Sequence, residues 1–195
     1  MSKKNAILKA ATALFASRGY RDAAMTEVAQ MSGTAGANVF YHFKNKEELF
    51  LAVLQDVKEG LVRAFDDYFR EKAFDTGMER VEGIIDFYLY LAGTHEEWFL
   101  LLHRHYLYRL AVENPVCRSH LEEIYRCLVD VFEQAIIIGQ ADGSIGSVSP
   151  RKVALIMLSM VDGIVRFKVN NLYHAGALYD ELITCCRRMI ENEIT

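Results

Sequence analysis

The chain has 195 residues, 52% of them hydrophobic, which excludes a disordered polypeptide and allows a sizeable core in one large domain or two unequal ones. Four cysteines, no charged and apolar leader and no apolar run of membrane-spanning length predict a cytoplasmic protein without disulfides or a membrane partner. The net charge of −4 is uneven, because residues 1–46 carry +5 and the remainder carries −9. This asymmetry favours a short DNA-binding head on an acidic body, since phosphates need cations only where they are contacted.

Three short helices are predicted within the first 46 residues. An apolar stripe at positions i, i+4, i+7 and i+8 is formed by Ile7, Ala11, Leu14 and Phe15. The basic last turn and following glycine of Arg18-Gly19 end this first helix, which we place at about 3–18. A second helix around Val28 stops at Gly33, and a third covers about 35–42. Short helices in this order are typical of a protein that presents a DNA-reading helix.

A long fourth helix follows Asn45. Asn45 with Glu48 three residues later gives a capping-box start. Apolar residues then keep a 3.6-residue period over about six turns. They are Phe50, Val53, Leu54, Val57, Leu61, Ala64, Phe65 and Tyr68.

Capping residues also mark the later helices. Thr76 and Thr94 each have a glutamate three residues on, and Pro115 and Pro150 each follow a capping side chain. The predicted helices are 77–93, 95–112, 115–139, 150–172 and 177–193. The glycine- and serine-rich stretch 139–149 is the clearest loop. Because no segment shows strand alternation with hairpin turns, we predict an all-α fold of about nine helices.

A specific run of residues connects the third predicted helix to the fourth. The run is Phe40-Tyr41-His42-Phe43-Lys44-Asn45-Lys46-Glu47-Glu48-Leu49, and it follows a first helix that ends in Gly19-Tyr20. With these motifs, residues 6–50 resemble the TetR family of bacterial transcriptional regulators. The resemblance implies a helix-turn-helix DNA-binding domain at 1–46 and a helical ligand-binding and dimerisation domain at 47–195. It also implies a repressor that binds a palindromic double-stranded DNA operator as a homodimer and is released by a small hydrophobic effector.

The resemblance places the reading helix at 35–42. The predicted DNA-binding residues are Thr26, Ala35, Gly36, Asn38, Val39, Tyr41, His42 and Lys46. Asn38 is suited to an adenine edge and Val39 to a thymine methyl, whereas Tyr41 and His42 are suited to phosphates. Lys46 resembles the family's phosphate-contacting lysine at a helix start, where free N–H groups also favour an anion.

Two features of the sequence limit the number of expected DNA contacts. Phe40 and Phe43 are expected to pack internally rather than to face DNA. Thr34, Ala35 and Gly36 depart from the residues common in the family, so we expect few base contacts and some reading of groove shape.

The segment from Val153 to Val165 is apolar nearly all round, which predicts burial on more than one face. One explanation is a central helix in a thick single core, and the other is a partner chain. In the resembling family the last two helices form a dimer bundle, which favours the partner. The dimer-interface residues so implied are Leu155, Leu158, Asp162, Val165, Ile183 and Arg187.

Aromatic residues are frequent in the middle of the chain. At helical spacing such residues usually form core, but in the resembling family this region encloses an effector, and such pockets are mostly apolar. The ligand-binding residues so implied are Phe65, Phe69, Tyr88, Trp98, His103, Tyr106, Phe132 and Phe167. They imply a medium-sized hydrophobic effector, with an anionic group as one option.

The sequence bears on two other classes of function. A metal- or redox-sensing regulator would use Cys117 and His120, which are three residues apart on one helix, with Cys127 or the Cys185-Cys186 pair. An enzyme is not expected, because the sequence has no nucleophile elbow, phosphate loop, HExxH motif or dinucleotide fingerprint. No cofactor is expected either.

Overall fold

The computed structural model describes residues 2–173 and 175–191, and this part of the chain contains α-helices and no strand. The all-α prediction is therefore confirmed, with ten α-helices rather than nine in these residues. The helices are α1 (Lys3–Asp22), α2 (Met25–Met31), α3 (Gly36–His42), α4 (Lys46–Glu71), α5 (Gly77–Thr94), α6 (Glu96–Leu102), α7 (His105–Glu113), α8 (Pro115–Asp142), α9 (Pro150–Val169) and α10 (Tyr179–Ile190). A 3₁₀ turn (Ala175–Leu178) precedes α10.

The predicted limits of the first three helices are confirmed. Gly19 interrupts α1 with φ +80°, and Gly33 follows α2 with φ +64°. Both values lie in the left-handed region that favours glycine, so each glycine stops the helix before it. The first continuous helical stretch of α1 therefore ends at Arg18, as predicted, and the kink at Gly19 separates it from a last helical turn that reaches Asp22.

Three of the predicted helix starts are held by the expected capping side chains. The side-chain oxygen of each accepts the backbone N–H three residues later, at 2.8 Å for Asn45, 3.2 Å for Thr76 and 3.1 Å for Asn114. Pro150 begins α9 as predicted, but Ser149 before it makes no side-chain capping bond. Local sequence thus determines where α4, α5 and α8 begin.

The prediction of one helix over 95–112 is wrong. Thr94 caps no following helix, since its hydroxyl donates to the Tyr90 carbonyl at 3.0 Å and Thr94 is the last residue of α5. The segment then forms two helices, α6 and α7, separated at His103 and Arg104. Arg104 has an extended backbone (φ −73°, ψ 130°), and its guanidinium binds a carbonyl of a residue far away in the sequence.

The predicted loop over 139–149 is shorter than expected. Helix α8 continues to Asp142, so Gly139 is helical rather than part of the loop. Gly139 lies against the start of α5, where a Cβ added to Gly77 would be 2.1 Å from the Gly139 nitrogen. The glycine therefore serves close helix packing. The end of the predicted helix 177–193 lies outside the described residues beyond 191.

The described chain packs as two compact units. The first contains residues 2–63 and 97–124, with α1–α3, the start of α4, α6, α7 and the start of α8. The second contains 64–96, 125–173 and 175–191, with the rest of α4, α5, most of α8, α9 and α10. None of the described helices is long and apolar enough to span a membrane.

Candidate nucleic-acid interface

A short, hydrogen-bonded turn connects α2 to α3 in the first unit. The Thr34 N–H donates to the Ala29 carbonyl at 3.1 Å, and the Gly33 N–H donates to the Gln30 carbonyl at the same distance. The hydroxyls of Ser32 and Thr34 share a hydrogen bond of 2.8 Å. These bonds fix the direction in which α3 leaves the turn, which is the requirement for presenting a reading helix.

Helix α3 has one buried and one exposed face. Val39 is fully buried and Phe43 is 3% exposed, whereas Phe40 is 53% and Tyr41 84% exposed. Val39 therefore packs inside the head, and we withdraw it as a thymine contact. The expectation that Phe40 packs internally is also wrong. Val39 and Phe43, four residues apart, share the buried face, and Phe40 points away from it.

The other predicted DNA-binding residues lie on the surface of the head. Thr26, Ala35 and Gly36 are exposed, and Asn38 and His42 are half-buried. The Tyr41 and His42 rings lie 5.2 Å apart at the end of α3. The α2–α3 arrangement thus gives one surface with small residues at the start of the reading helix and aromatic residues at its end.

Lys46 has internal bonds that its sequence position did not indicate. Its ammonium donates to the carbonyls of Arg21 and Ala23, both at 3.0 Å, and lies 4.7 Å from the centre of the Tyr20 ring. The first residue of α4 therefore holds the chain that leaves α1. An ammonium has three donors, so one remains for a phosphate.

Arg104 binds α1 in the same way, and the sequence reasoning did not assign it this role. Its Nε donates to the Ala16 carbonyl at 2.9 Å, one Nη donates to the Ser17 carbonyl at 2.8 Å, and the same Nη also contacts Ala16. Cations favour the carbonyl end of a helix. No local pattern could have revealed these bonds, because Arg104 and Ala16 are 88 residues apart in sequence.

Tyr106, predicted as a ligand-binding residue, packs beside this junction. Its ring stacks on Tyr20 with centroids 3.9 Å apart and planes within 5°, and Phe50 meets both rings edge-on. Burial, and to a smaller extent the hydrogen bond to Tyr20, raise the pKa of the Tyr106 hydroxyl. Tyr106 therefore supports the head.

The predicted ligand-binding residues are divided between the units. Trp98, His103 and Tyr106 belong to the first unit, and the other five belong to the second. In the second unit Phe65, Tyr88 and Phe132 are almost fully buried, whereas Phe167 is 39% exposed. The Tyr88 hydroxyl donates to Asp162 Oδ1 at 2.6 Å, which places one polar pair in this core.

The predicted dimer-interface residues differ in exposure. Leu155 is 48% exposed, whereas Leu158 and Val165 are buried inside the second unit and are withdrawn from the interface. Asp162 binds Tyr88, and Ile183 is half-buried. Arg187 is exposed, and its Nε donates to Glu82 at 2.8 Å. Exposed Ile156 completes an apolar cleft on α9, whose lining is Leu155, Ile156, Ser159 and Met160.

The metal-sensing alternative has no support from this arrangement. Among the described residues, Cys117, His120 and Cys127 included, no group of three potential ligands could hold a metal ion. Burial raises the pKa of the Cys117 thiol to about 11, and the thiol faces the Leu107 carbonyl. A neutral thiol is a poor metal ligand, because the thiolate is the ligating form.

The three-helix head and its exposed reading helix define the class of helix-turn-helix DNA-binding proteins. The family model of bacterial regulatory proteins, tetR family, matches residues 7–53. Residues 7–53 therefore carry this family's DNA-binding region, and the chain is similar to the family's DNA-binding transcriptional regulators.

Longer parts of the chain are similar to a curated protein and to solved structures. The fatty acid metabolism regulator protein of Bacillus subtilis is 23% identical over 140 residues, which cover 71% of this chain and 69% of that protein. The structure of a putative transcriptional regulator from Saccharomonospora viridis in complex with choline has a TM-score of 0.82 at 20% identity, covering 97% of this chain and 98% of the other. The regulator FadR from Bacillus subtilis, in complex with stearoyl-CoA, has a TM-score of 0.73 at 20% identity and covers 93% and 96%. At these identities the structures are similar in fold.

Proposed function

We propose that the chain is a homodimeric repressor that binds a palindromic operator through α3 and is released by an apolar effector. The observation that carries the DNA-binding part is the two-faced α3. Val39 and Phe43 anchor the helix, so Tyr41 and the small residues at its start face outward on a rigid support. Such a helix fits the major groove, where its outer face touches base edges and phosphates.

In this proposal Asn38 reads a base, while Tyr41, His42 and Lys46 contact phosphates. Gly36 and Ala35 lack long side chains, so the backbone approaches the groove closely and few bases are read directly. The exposed Phe40, rather than the buried Val39, makes the apolar contact to a thymine methyl.

Substitution of these residues separates their roles. Asn38→Ala is expected to reduce the preference for the operator over a scrambled duplex, whereas Lys46→Ala weakens binding to both duplexes about equally. Fluorescence anisotropy with the two duplexes measures this difference. Thermal melting of each variant checks folding, because Lys46 also holds the end of α1. The reverse pattern in variants that melt normally would refute the assignment.

The dimer is supported by the exposed apolar face of α9. Leu155 and Ile156 are each about half exposed and line a cleft of about 330 Å³. An apolar surface of this kind on a single chain favours association. A two-fold dimer also provides the two heads that a palindromic operator needs.

Leu155→Asp tests this interface. We expect the unaltered protein to have twice the 22.2 kDa mass of one chain in solution and the variant to shift toward the monomer. Val112→Asp is a matched control, because Val112 is 82% exposed on α7 in the other unit. Light scattering that gives a monomer for the unaltered protein would exclude the proposed dimer.

The proposed effector is apolar and neutral or anionic. The second unit is rich in aromatic residues, but cations already lie over several of their faces. The Arg80 guanidinium is 4.2 Å from the Phe69 ring centre, and the Lys72 ammonium is 5.4 Å from that of Phe74. Since aromatic faces attract cations, these rings are poorly available to a quaternary ammonium compound. The stearoyl-CoA complex of the Bacillus subtilis regulator is therefore the better guide for this chain than the choline complex.

Release assays test this choice directly. Stearoyl-CoA is expected to lower the affinity of the protein for its operator, and choline is expected to leave it unchanged. An effector changes DNA binding only if its affinity for the DNA-binding conformation of the protein differs from its affinity for the released conformation. Tight binding of stearoyl-CoA without any change in DNA affinity would contradict the proposed coupling.

A further inference from the structure

The first unit carries an arginine-rich cleft that the proposed contacts of α3 do not use. The cleft has a volume of about 330 Å³ and is lined by Arg18, Arg21, Arg104 and Arg109, with the stacked rings of Tyr20 and Tyr106 at its side. His105 also lines it, and Asp22 is its acidic residue. The cleft is at the lower end of the size range of small-molecule sites.

The four arginines are not equally available. Arg18 pairs with Glu27 at 2.6 Å, and Arg104 donates to the carbonyls of Ala16 and Ser17. Arg21 and Arg109 are both exposed and make no ion pair or side-chain hydrogen bond with any described residue. The cleft therefore contains two guanidinium groups whose donors are unused.

The backbone around the cleft does not oppose an anion. The carbonyls at the end of α1 would repel a negative group, but Arg104 and Lys46 already bind them. Two free guanidinium forks beside neutralised carbonyls match a tetrahedral oxyanion, since guanidinium binds phosphate oxygens in pairs.

We propose that this cleft binds a phosphate group through Arg21 and Arg109. The phosphate has two sources. One is the DNA backbone outside the sequence read by α3, because Arg21 lies beside Lys46, for which a phosphate contact is proposed. The other is a free phosphorylated small molecule.

The first arm of the test measures binding of inorganic pyrophosphate to the full-length protein without DNA, by isothermal titration calorimetry at constant ionic strength. The Arg21→Ala/Arg109→Ala variant is expected to bind at least about tenfold more weakly, because it loses two charge-assisted contacts. The control is Arg126→Ala/Arg188→Ala, which removes the same charge from exposed positions in the second unit. This control is expected to bind pyrophosphate like the unaltered protein.

The second arm distinguishes the sources by the salt dependence of binding to a random-sequence duplex. Each phosphate contact contributes about 0.9 to the slope of log affinity against log salt. A smaller slope in the Arg21→Ala/Arg109→Ala variant identifies DNA phosphate, and an unchanged slope with lost pyrophosphate binding identifies a free phosphorylated ligand. The proposal is overturned if the unaltered protein does not bind pyrophosphate, or if both double variants bind it equally well. Circular dichroism establishes that each variant is folded.

Discussion

Replacing Arg104 with alanine is expected to loosen the end of α1. The variant loses hydrogen bonds of 2.9 Å to Ala16 and 2.8 Å to Ser17, both from a charged donor to a helix-end carbonyl. A hydrogen bond from a charged group contributes about 1.5–3 kcal/mol. Because the carbonyls are only partly buried, water replaces the guanidinium in part, and we expect a total loss of about 2 kcal/mol.

Two assays measure this loss. For a chain of this length, about 2 kcal/mol corresponds to a fall of roughly 4–8 °C in melting temperature. Where hydrogen exchange proceeds through local opening, amides in the last turns of α1 should exchange roughly 30-fold faster. Arg109→Ala is the control, since this exposed arginine has no partner among the described residues. Equal melting temperatures and equal α1 exchange in the two variants would refute the role assigned to Arg104.

Three further substitutions test other parts of the fold. Gly77→Ala should lower the urea midpoint strongly, because the new Cβ would lie 2.1 Å from the Gly139 nitrogen; an unchanged midpoint would contradict this packing. Asn45→Ala should cost about 1 kcal/mol by removing the 2.8 Å cap of α4, as measured by chemical unfolding, and Asn45→Asp should retain the cap. Burial, and then the charge of Lys58, lower the pKa of His120 below 6.5, so the unfolded chain binds more protons and acid favours unfolding below that pH. Urea unfolding at pH 7 and 5.5 should show a smaller acid-induced loss in His120→Asn; an identical loss would exclude this contribution.

Local signals in the sequence predicted much of the head and most helix starts. Asn45, Thr76 and Asn114 cap their helices with bonds that reach only three residues along the chain. Gly19 and Gly33 stop helices by their own backbone conformation. These features depend on neighbouring residues alone, so the sequence reveals them.

Features that depend on distant residues were not predicted. The break between α6 and α7 accompanies the bonds of Arg104 to α1, and the internal role of Lys46 depends on carbonyls more than twenty residues away. Capping patterns also have two interpretations, because the Thr94 hydroxyl can bond backward as well as forward.

The candidate nucleic-acid interface also depends on packing that the sequence alone does not reveal. The resemblance located α3, but only the packing of the head shows that Val39 is buried and Phe40 is exposed. The spacing in the sequence indicates part of this arrangement, since Val39 and Phe43 are one helical turn apart and therefore share a face of α3. The ligand residues and the dimer residues other than Leu158 and Val165 remain proposals, because exposure or burial within one chain does not identify what binds a residue.

Selection of bound sequences from a pool of random DNA duplexes tests the central claim most directly. We expect the unaltered protein to enrich a palindromic sequence, and Asn38→Ala to enrich a more variable sequence with the same spacing between half-sites. A pool that stays random after selection with folded protein would contradict sequence-specific recognition by α3. Enrichment of the identical sequence by both proteins would contradict the role of Asn38.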